Sequence, residues 1–217
     1  MGVAGGWILW WRYYDRAISA NLDGVPLRQT DRGGVVGGPA LRSMLPSEDF
    51  VSRCGQRLVV VAGPDRYATH DKRLVAFVPS TRWPGWHVVD VSRDRTRSWV
   101  TPACSFDGRT IAASAGRNWL ERPIGTEARG IWTLSLDGRS RKRLTTPPRG
   151  STDELPIWAG TSILFVRSGP TSADGTASGA LYLVKPGGTV TGPLAKLGRT
   201  TNFYGHYAWS DRIDVHR

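Results

Sequence analysis

The sequence predicts an all-β protein made of repeated four-stranded antiparallel units, and two observations support this fold class. The first is a self-similar motif in which a tight polar turn leads into an apolar run. Its four copies span residues 52–60, 105–113, 158–166 and 209–215. The second is that no stretch of 12 residues has convincing helical periodicity, whereas short apolar runs alternate with Gly, Pro and Asp. That combination is typical of all-β proteins.

The repeat has a nearly constant period. The first apolar residues after the four turns are Leu58, Ile111, Ile163 and Ile213, which lie 53, 52 and 50 residues apart. Ile8 lies 50 residues before Leu58 and extends the series to the N-terminus. The chain therefore holds four full periods and the opening of a fifth. Self-similarity at this period indicates one small unit stacked on copies of itself.

Units three and four each contain four predicted strands. In unit three they are residues 98–104, 110–115, 130–136 and 141–145, and in unit four 154–158, 163–167, 180–184 and 190–197. Asp-Gly pairs between apolar runs favour hairpins, because Gly accepts positive φ and Asp tolerates it. We expect unit one to lack its first strand and to begin with residues 8–12. Four antiparallel strands at this period describe a β-propeller blade, which must pack on neighbouring blades to cover both its faces.

The residues of unit three resemble the TolB-type propeller repeat. That family's motif runs Trp-Ser-Pro-Asp-Gly, an aliphatic strand, a strand beginning Ile-Trp or Ile-Tyr, a second Asp-Gly, and Arg-Arg-Leu-Thr. The matching segments here are residues 104–112, Ile131-Trp132, Asp137-Gly138, residues 143–145, and residues 153–158, which resemble the start of the next blade. The chain departs from the motif at Phe106, which replaces Pro, at Cys54, where Asp is expected, and in unit four, which lacks the Pro-Asp pair.

The resemblance implies a single β-propeller domain over residues 1–217. The family usually closes with six blades, so we expect either a fragment, a start codon set too late, or a reduced ring. It further implies a non-enzymatic binding or scaffold module, with a protein or peptide partner in the bacterial cell envelope or periplasm. Relatives are often exported, although residues 1–11 do not have the pattern of a signal peptide. The alternative is the propeller portion of a larger hydrolase, of the prolyl-oligopeptidase-like kind, or of a lyase.

Recognisable catalytic chemistry is missing from the sequence. It has no Gly-x-Ser-x-Gly elbow, Cys-x-x-Cys, His-Glu-x-x-His, phosphate loop or dinucleotide fingerprint. The four His residues are far apart, and ordinary strand histidines are favoured over a metal site. We therefore predict no catalytic residues, no metal and no cofactor.

The formal net charge is +11, and 25 of the 29 basic residues are Arg. These residues are scattered, with one dense run at 139–143, so a solvated basic rim is favoured over a nucleic-acid site. We expect an acidic protein or peptide partner first, a small molecule second and nucleic acid third. No apolar run approaches the length of about 18 residues that a transmembrane helix needs.

Two groups of candidate partner-binding residues follow. Asp153 and Glu154 precede the innermost strand of unit four, and Asn202, Tyr204 and His206 occupy the matching place in unit five, where loops crowd around one mouth of a propeller channel. The competing interpretation is that Asp153 and Glu154 are structural residues of the repeat. The second group is Arg117, Trp119 and Arg122 in a long insertion, because Trp beside Arg is enriched at interfaces.

Cys54 and Cys104 would lie in neighbouring blades, with Cys54 in a turn. Such positions are usually too far apart for a disulfide, so two buried free thiols are favoured.

Blade edges left incomplete at both ends would be unpaired. Either residues 203–210 complete unit one and close a small ring, or the chain forms an open arc that self-associates; we favour the arc.

Overall fold

The computed structural model describes the side chains of residues 52–63, 71–79, 87–117 and 128–199, and the backbone alone in strands outside these ranges. The first two groups of strands are β1 (Gly2–Ala4), β2 (Trp7–Arg12), β3 (Arg16–Asn21), β4 (Pro26–Gln29), β5 (Leu45–Cys54), β6 (Arg57–Gly63), β7 (Arg73–Pro79) and β8 (Trp86–Asp90). The others are β9 (Arg97–Cys104), β10 (Thr110–Arg117), β11 (Gly130–Ser135), β12 (Arg141–Arg143), β13 (Thr152–Ala159), β14 (Ser162–Ser168), β15 (Thr176–Val184), β16 (Val190–Phe203) and β17 (His206–Tyr207).

These strands form four antiparallel sheets in which hydrogen-bonded neighbours are consecutive along the chain. The first three sheets are β1-β2-β3-β4, β5-β6-β7-β8 and β9-β10-β11-β12, and the fourth is β13-β14-β15-β16-β17. Each sheet therefore has the plan of a propeller blade, and we call them blades one to four. The predicted all-β class and the four-stranded repeat are confirmed, and the described residues contain no helix.

Blade one differs from its sequence prediction. It was expected to lack a first strand, but β1 pairs with β2, with Val3 opposite Ile8. A strand of three residues is too short to leave a hydrophobic pattern, which is why the sequence did not show it. Among the described strands β2 lies between β1 and β3, and β17 adds to the fourth sheet, so the small ring closed by residues 203–210 stays an untested alternative. The open arc and its self-association stay predictions.

Blade three is covered on both faces by its neighbours. Along β10, Ile111, Ala113 and Ala115 belong to a buried cluster with β6 and β7 of blade two. Ala112, between them, belongs to a second buried cluster with blade four, which includes Phe165. Successive strand residues point to opposite faces, so one strand serves both interfaces. Burying each large apolar side chain contributes about 1.5–3 kcal/mol, an upper estimate for a real unfolded chain.

The innermost strands of blades two, three and four share an irregularity. Each contains a register shift, which includes Pro102 in blade three and Pro156 in blade four and lies between Pro46 and Val51 in blade two. Proline lacks the N–H that a ladder needs. In blades three and four the preceding residues, Thr101 and Leu155, have left-handed φ values of 49° and 52°. The X-Pro pair therefore accompanies a β-bulge near the same point of the innermost strands of blades three and four.

The Asp-Gly turns of blade three repeat one hydrogen-bond pattern. In the first turn, Asp107 Oδ1 accepts from Ser105 Oγ at 2.6 Å and from the N–H of Arg109 at 3.0 Å. Asp137 accepts from Ser135 and Arg139 at the same two distances. The Ser hydroxyl, followed by the backbone N–H, lowers the pKa of each Asp below its ordinary value. The glycines after these Asp residues have φ near +70°, which side chains disfavour.

Acidification is expected to destabilise the fold through these turns. A carboxyl whose pKa is lower in the folded chain stabilises it above the unfolded pKa, and that contribution is lost as pH falls through the folded pKa. The melting temperature should therefore drop more steeply below about pH 4 in the parent chain than in the Asp107→Asn/Asp137→Asn variant. Thermal melts between pH 2 and pH 6 measure both slopes, and parallel curves would contradict the assignment.

Cys54 and Cys104 form a disulfide between blades two and three, so the expectation of free thiols is wrong. Cys54 is the last residue of β5, not a turn residue, and Cys104 is the last of β9. Their Cα atoms are 5.4 Å apart, within the usual disulfide range. The two strand ends are also joined by the N–H of Cys104, which donates to Ser52 Oγ at 2.8 Å. The sequence alone did not predict that Cys54 and Cys104, which are 50 residues apart, come into contact.

Removing this disulfide should destabilise the chain without changing its fold. The Cys54→Ser/Cys104→Ser variant is expected to lose about 2–4 kcal/mol of unfolding free energy, because the cross-link restricts the unfolded chain. Urea unfolding with and without reductant provides the measurement and its control, since reductant should lower the parent chain to the level of the variant. Two thiols reacting with iodoacetamide in denaturant without reductant would show that the bond does not form.

Candidate functional site

Asp153 lies inside β13 and is fully buried, at 0 % exposure. Its two carboxylate oxygens accept hydrogen bonds from Arg167, at 2.6 Å from Nε and 2.8 Å from Nη2. These hydrogen bonds raise the pKa of Arg167 further above its ordinary value. The guanidinium also lies 5.0 Å from the ring of Tyr182, close enough for a cation–π contact. Asp153 is thus held by an ion pair within blade four.

Glu154, the next residue of β13, is 2 % exposed and pairs with Arg129 across 3.8 Å. Arg129 belongs to the segment that enters β11 of blade three. Its carbonyl accepts from the N–H of Asp153 at 2.9 Å, and its own N–H donates to Thr152 Oγ1 at 3.1 Å. Asp153 and Glu154 therefore join blades three and four at the ends where β11 and β13 begin. Their role in partner binding stays a prediction.

The other predicted site residues lie partly outside the described residues. Arg117 is the last residue of β10, exposed and opposite Arg97 in the register of β9. Asn202 and His206 belong to the hairpin of β16 and β17, described by its backbone only, which places them on adjoining strands. Trp119, Arg122 and Tyr204 lie outside the described residues. The predicted strand of unit five is represented by β17, which adds to the fourth sheet.

A cluster of Arg and Trp that the sequence analysis missed lies beside Arg117. Trp132 in β11 is opposite Arg143 in β12. The guanidinium carbon of Arg97 is 4.5 Å from a ring centroid of Trp132, and that of Arg143 is 5.9 Å away. Trp99 completes the group, with its ring edge-on to Trp132 at 5.8 Å. The signal was available, because Arg97 and Trp99 alternate along β9 and so point to one face.

Positive charge is concentrated at this end of blade three. We call the group Arg97, Arg117, Arg129 and Arg143 the arginine end. Among the described carboxylates, Glu154 pairs with Arg129, and Asp94 lies 3.3 Å from Arg97. Burial and then the charge of Arg97 lower the pKa of Arg143 from its ordinary value. The arginine end therefore holds more cations than nearby carboxylates, which suits an anionic ligand.

A shallow depression of about 440 Å³ lies at the turns of blades two and three, beside the disulfide. It is lined by Cys54, Gly55, Gln56, Arg57, Gly108, Arg109, Ser135, Leu136 and Asp137. The turns approach closely here, since a Cβ on Gly108 would lie 2.8 Å from the nitrogen of Gly55.

Within the described ranges, no group of three or more His, Cys, Asp and Glu residues could hold a metal. No helix there is long and apolar enough to cross a membrane.

Comparison with solved structures agrees with the fold. An oligogalacturonate lyase in complex with manganese has a TM-score of 0.53 and 13 % identity, covering 90 % of this chain and 50 % of the lyase. A puromycin-hydrolyzing peptidase of Mycobacterium tuberculosis has a TM-score of 0.53 and 16 % identity, covering 88 % and 29 %. The chain thus spans half or less of the length of these two proteins. Such low identities show the fold alone.

A putative TolB from Agrobacterium tumefaciens is also similar, with a TM-score of 0.40 and 16 % identity over 91 % of this chain and 80 % of that one. At that TM-score the superposition carries no argument, and the similarity to the TolB-type repeat stays a resemblance of sequence motif. No family model matches the chain, and no curated protein matches it. The fold and its repeats define the class of the protein, which is a β-propeller of four-stranded antiparallel blades.

Breaking the pair between Asp153 and Arg167 should strongly destabilise blade four. Asp153→Ala leaves the cation without its partner, and loss of one member of a buried pair costs about 3–5 kcal/mol. Urea unfolding measures the loss, and Asp107→Ala, at an exposed turn, should cause only a small fraction of it. The Asp153→Leu/Arg167→Met variant should recover much of the stability, because it removes both charges. Equal stability of Asp153→Ala and the parent chain would contradict this role.

Proposed function

We propose that this chain is a non-enzymatic binding module of TolB-like type that recognises an acidic segment of a protein partner. The observation that carries the proposal is the arginine end of blade three. There Arg97, Arg117 and Arg143 lie at one end of three strands of the same sheet, β9, β10 and β12, while the carboxylates Asp153 and Glu154 are engaged by Arg167 and Arg129. A surface with excess cations steers and holds a segment rich in Asp and Glu.

The proposal includes the insertion with Trp119 and Arg122 because of its position in the sequence. It follows Arg117 directly in sequence and joins β10 to β11, whose ends form part of the arginine end. Arg and Trp are enriched among the residues that contribute most to binding energy at interfaces. The proposed site therefore combines the fixed arginines of the strands with the side chains of the insertion.

The disulfide supports placing the module in an oxidising compartment. Disulfides persist in the bacterial periplasm and outside the cell, and are rare in the cytosol. Together with the TolB-like motif, the bond between Cys54 and Cys104 favours the cell envelope. A disulfide-free protein isolated from the oxidised envelope, or a cytosolic location shown by fractionation, would count against this part of the proposal.

Binding of a defined acidic peptide provides the main test. We expect a fluorescein-labelled peptide of alternating Glu and Gly to bind, and a Lys-Gly peptide of the same length not to bind. Affinity should weaken as salt rises from about 50 to 300 mM, because screening reduces the attraction between charges. Fluorescence anisotropy gives the Kd. Equal binding of both peptides would exclude charge recognition.

The Arg117→Ala/Trp119→Ala/Arg122→Ala variant should weaken peptide binding at least tenfold and leave the thermal melt almost unchanged. Arg109→Ala/Arg139→Ala is the matched control, because it also removes two positive charges, but from exposed turns at the opposite strand ends. Weaker binding in the control alone would place the site at the depression between the turns. A large fall in the melting temperature of the triple variant would show that the insertion is packed structure.

Turnover of peptidase, esterase or glycosidase substrates, abolished by one substitution, would instead favour an enzyme.

A further inference from the structure

Buried nitrogen donors without a hydrogen-bond acceptor lie at the arginine end and on the two tryptophans beside it. Arg97 Nε, Trp99 Nε1 and Trp132 Nε1 are all buried, and within the described part of the chain none has a hydrogen-bond partner. Arg97 Nε lies 3.3 Å from Asp94 Oδ2, an ion pair whose geometry does not make a hydrogen bond. Buried polar groups in folded proteins are nearly always satisfied, so three unsatisfied donors in one cluster need an explanation.

The cluster is short of negative charge as well as of acceptors. Asp94 is shared between Arg97 and Arg141, at 3.3 and 3.8 Å. Its Oδ1 already accepts hydrogen bonds from the N–H and hydroxyl of Thr96. Burial and Arg97 together lower the pKa of Arg143, although the charge of Asp153 partly offsets this by raising it. Both carboxylate oxygens of Asp153, however, are already bound by Arg167. Neither Asp94 nor Asp153 is therefore available to Arg97 and Arg143 together.

Arg143 connects this cluster to the surface. Its Nε donates to the carbonyl of Thr145 at 2.8 Å, which holds the guanidinium in place. The residue as a whole is exposed, although its guanidinium lies against Trp132. A ligand arriving from solvent can thus reach Arg143, whose guanidinium lies near the same indole ring as that of the partly buried Arg97.

We propose that Arg97, Trp132 and Arg143 form a subsite for a carboxylate group. Guanidinium groups bind planar carboxylates through paired, charge-assisted hydrogen bonds, and the Trp132 N–H supplies a further donor. The bound carboxylate would accept hydrogen bonds from Arg97 Nε and Trp132 Nε1, two of the three buried donors, and offset the repulsion between the two arginines. The subsite rests on the proposed function, because it would hold one acidic side chain of the partner segment.

Glutarate, a free dicarboxylate, tests the subsite separately from the whole binding surface. The side-chain N–H signal of Trp132 in a ¹⁵N–¹H spectrum, assigned by its loss in Trp132→Phe, should shift as glutarate is added. Arg143→Ala should weaken glutarate binding about tenfold or more, the loss expected for a charged hydrogen-bonded pair. Arg143→Lys should recover only part of it, because Lys lacks the fork of donors.

Lys142→Ala is the matched control, since it removes one positive charge from the same strand. Lys142 donates to the carbonyl of Pro186 at 2.8 Å, and its side chain lies on the opposite face of the sheet from Arg143. Glutarate affinity should change less than twofold in this variant. An equal loss in Lys142→Ala and Arg143→Ala would show general charge attraction and overturn the subsite.

Three further outcomes separate the subsite from the proposed function. Peptide binding without any glutarate-dependent shift of Trp132 would overturn the subsite, leave the binding module intact, and indicate that water satisfies the buried donors. A glutarate shift without peptide binding would support the subsite while the proposed function fails. Inorganic phosphate that binds as tightly as glutarate would overturn selectivity for a carboxylate.

Discussion

The packing of blade three between its two neighbours is the constraint on which the rest of the described structure depends. A four-stranded sheet has two faces, and neither can be left in water when both are apolar. The small residues Ala112 and Ala113 of β10 lie on opposite faces and let the blades on each side approach closely. Trp99, fully buried, fills the space toward blade two. The disulfide and the Asp153 to Arg167 pair then act at strand ends whose positions this packing has already set.

Charge is distributed unevenly between the interior contacts and the surface. Several carboxylates have local structural roles, such as Asp107 in its turn and Asp153 with Arg167. These contacts give the carboxylates hydrogen-bond partners. Arg97, which lies over Trp132, by contrast has a buried Nε donor without a hydrogen-bond acceptor among the described residues. The net charge of +11 is that of the whole chain. Within the described residues, Arg97, Arg117, Arg129 and Arg143 gather where strands of blade three begin and end, an arrangement that suits the acidic ligand that we propose.

The sequence predicted much more of the fold than of the candidate site. The strands of blade three were anticipated within two residues at most of their ends, since Asp-Gly turns and alternating apolar residues are local signals. Asp153 and Glu154 were noticed for their charge and their place in the motif, yet their partners Arg167 and Arg129 could not be chosen among 25 arginines. Side-chain pairing between strands depends on register and bulges, which local pattern does not specify.

The sequence by itself determined the repeat, the all-β class and the turn chemistry, because each depends on residues close together in the chain. Only the tertiary structure decided which blades touch, that Cys54 meets Cys104, and that Arg97 and Arg143 converge on one indole ring. Those contacts join residues tens of positions apart, and they exist only once the blades are packed and the strand registers are set.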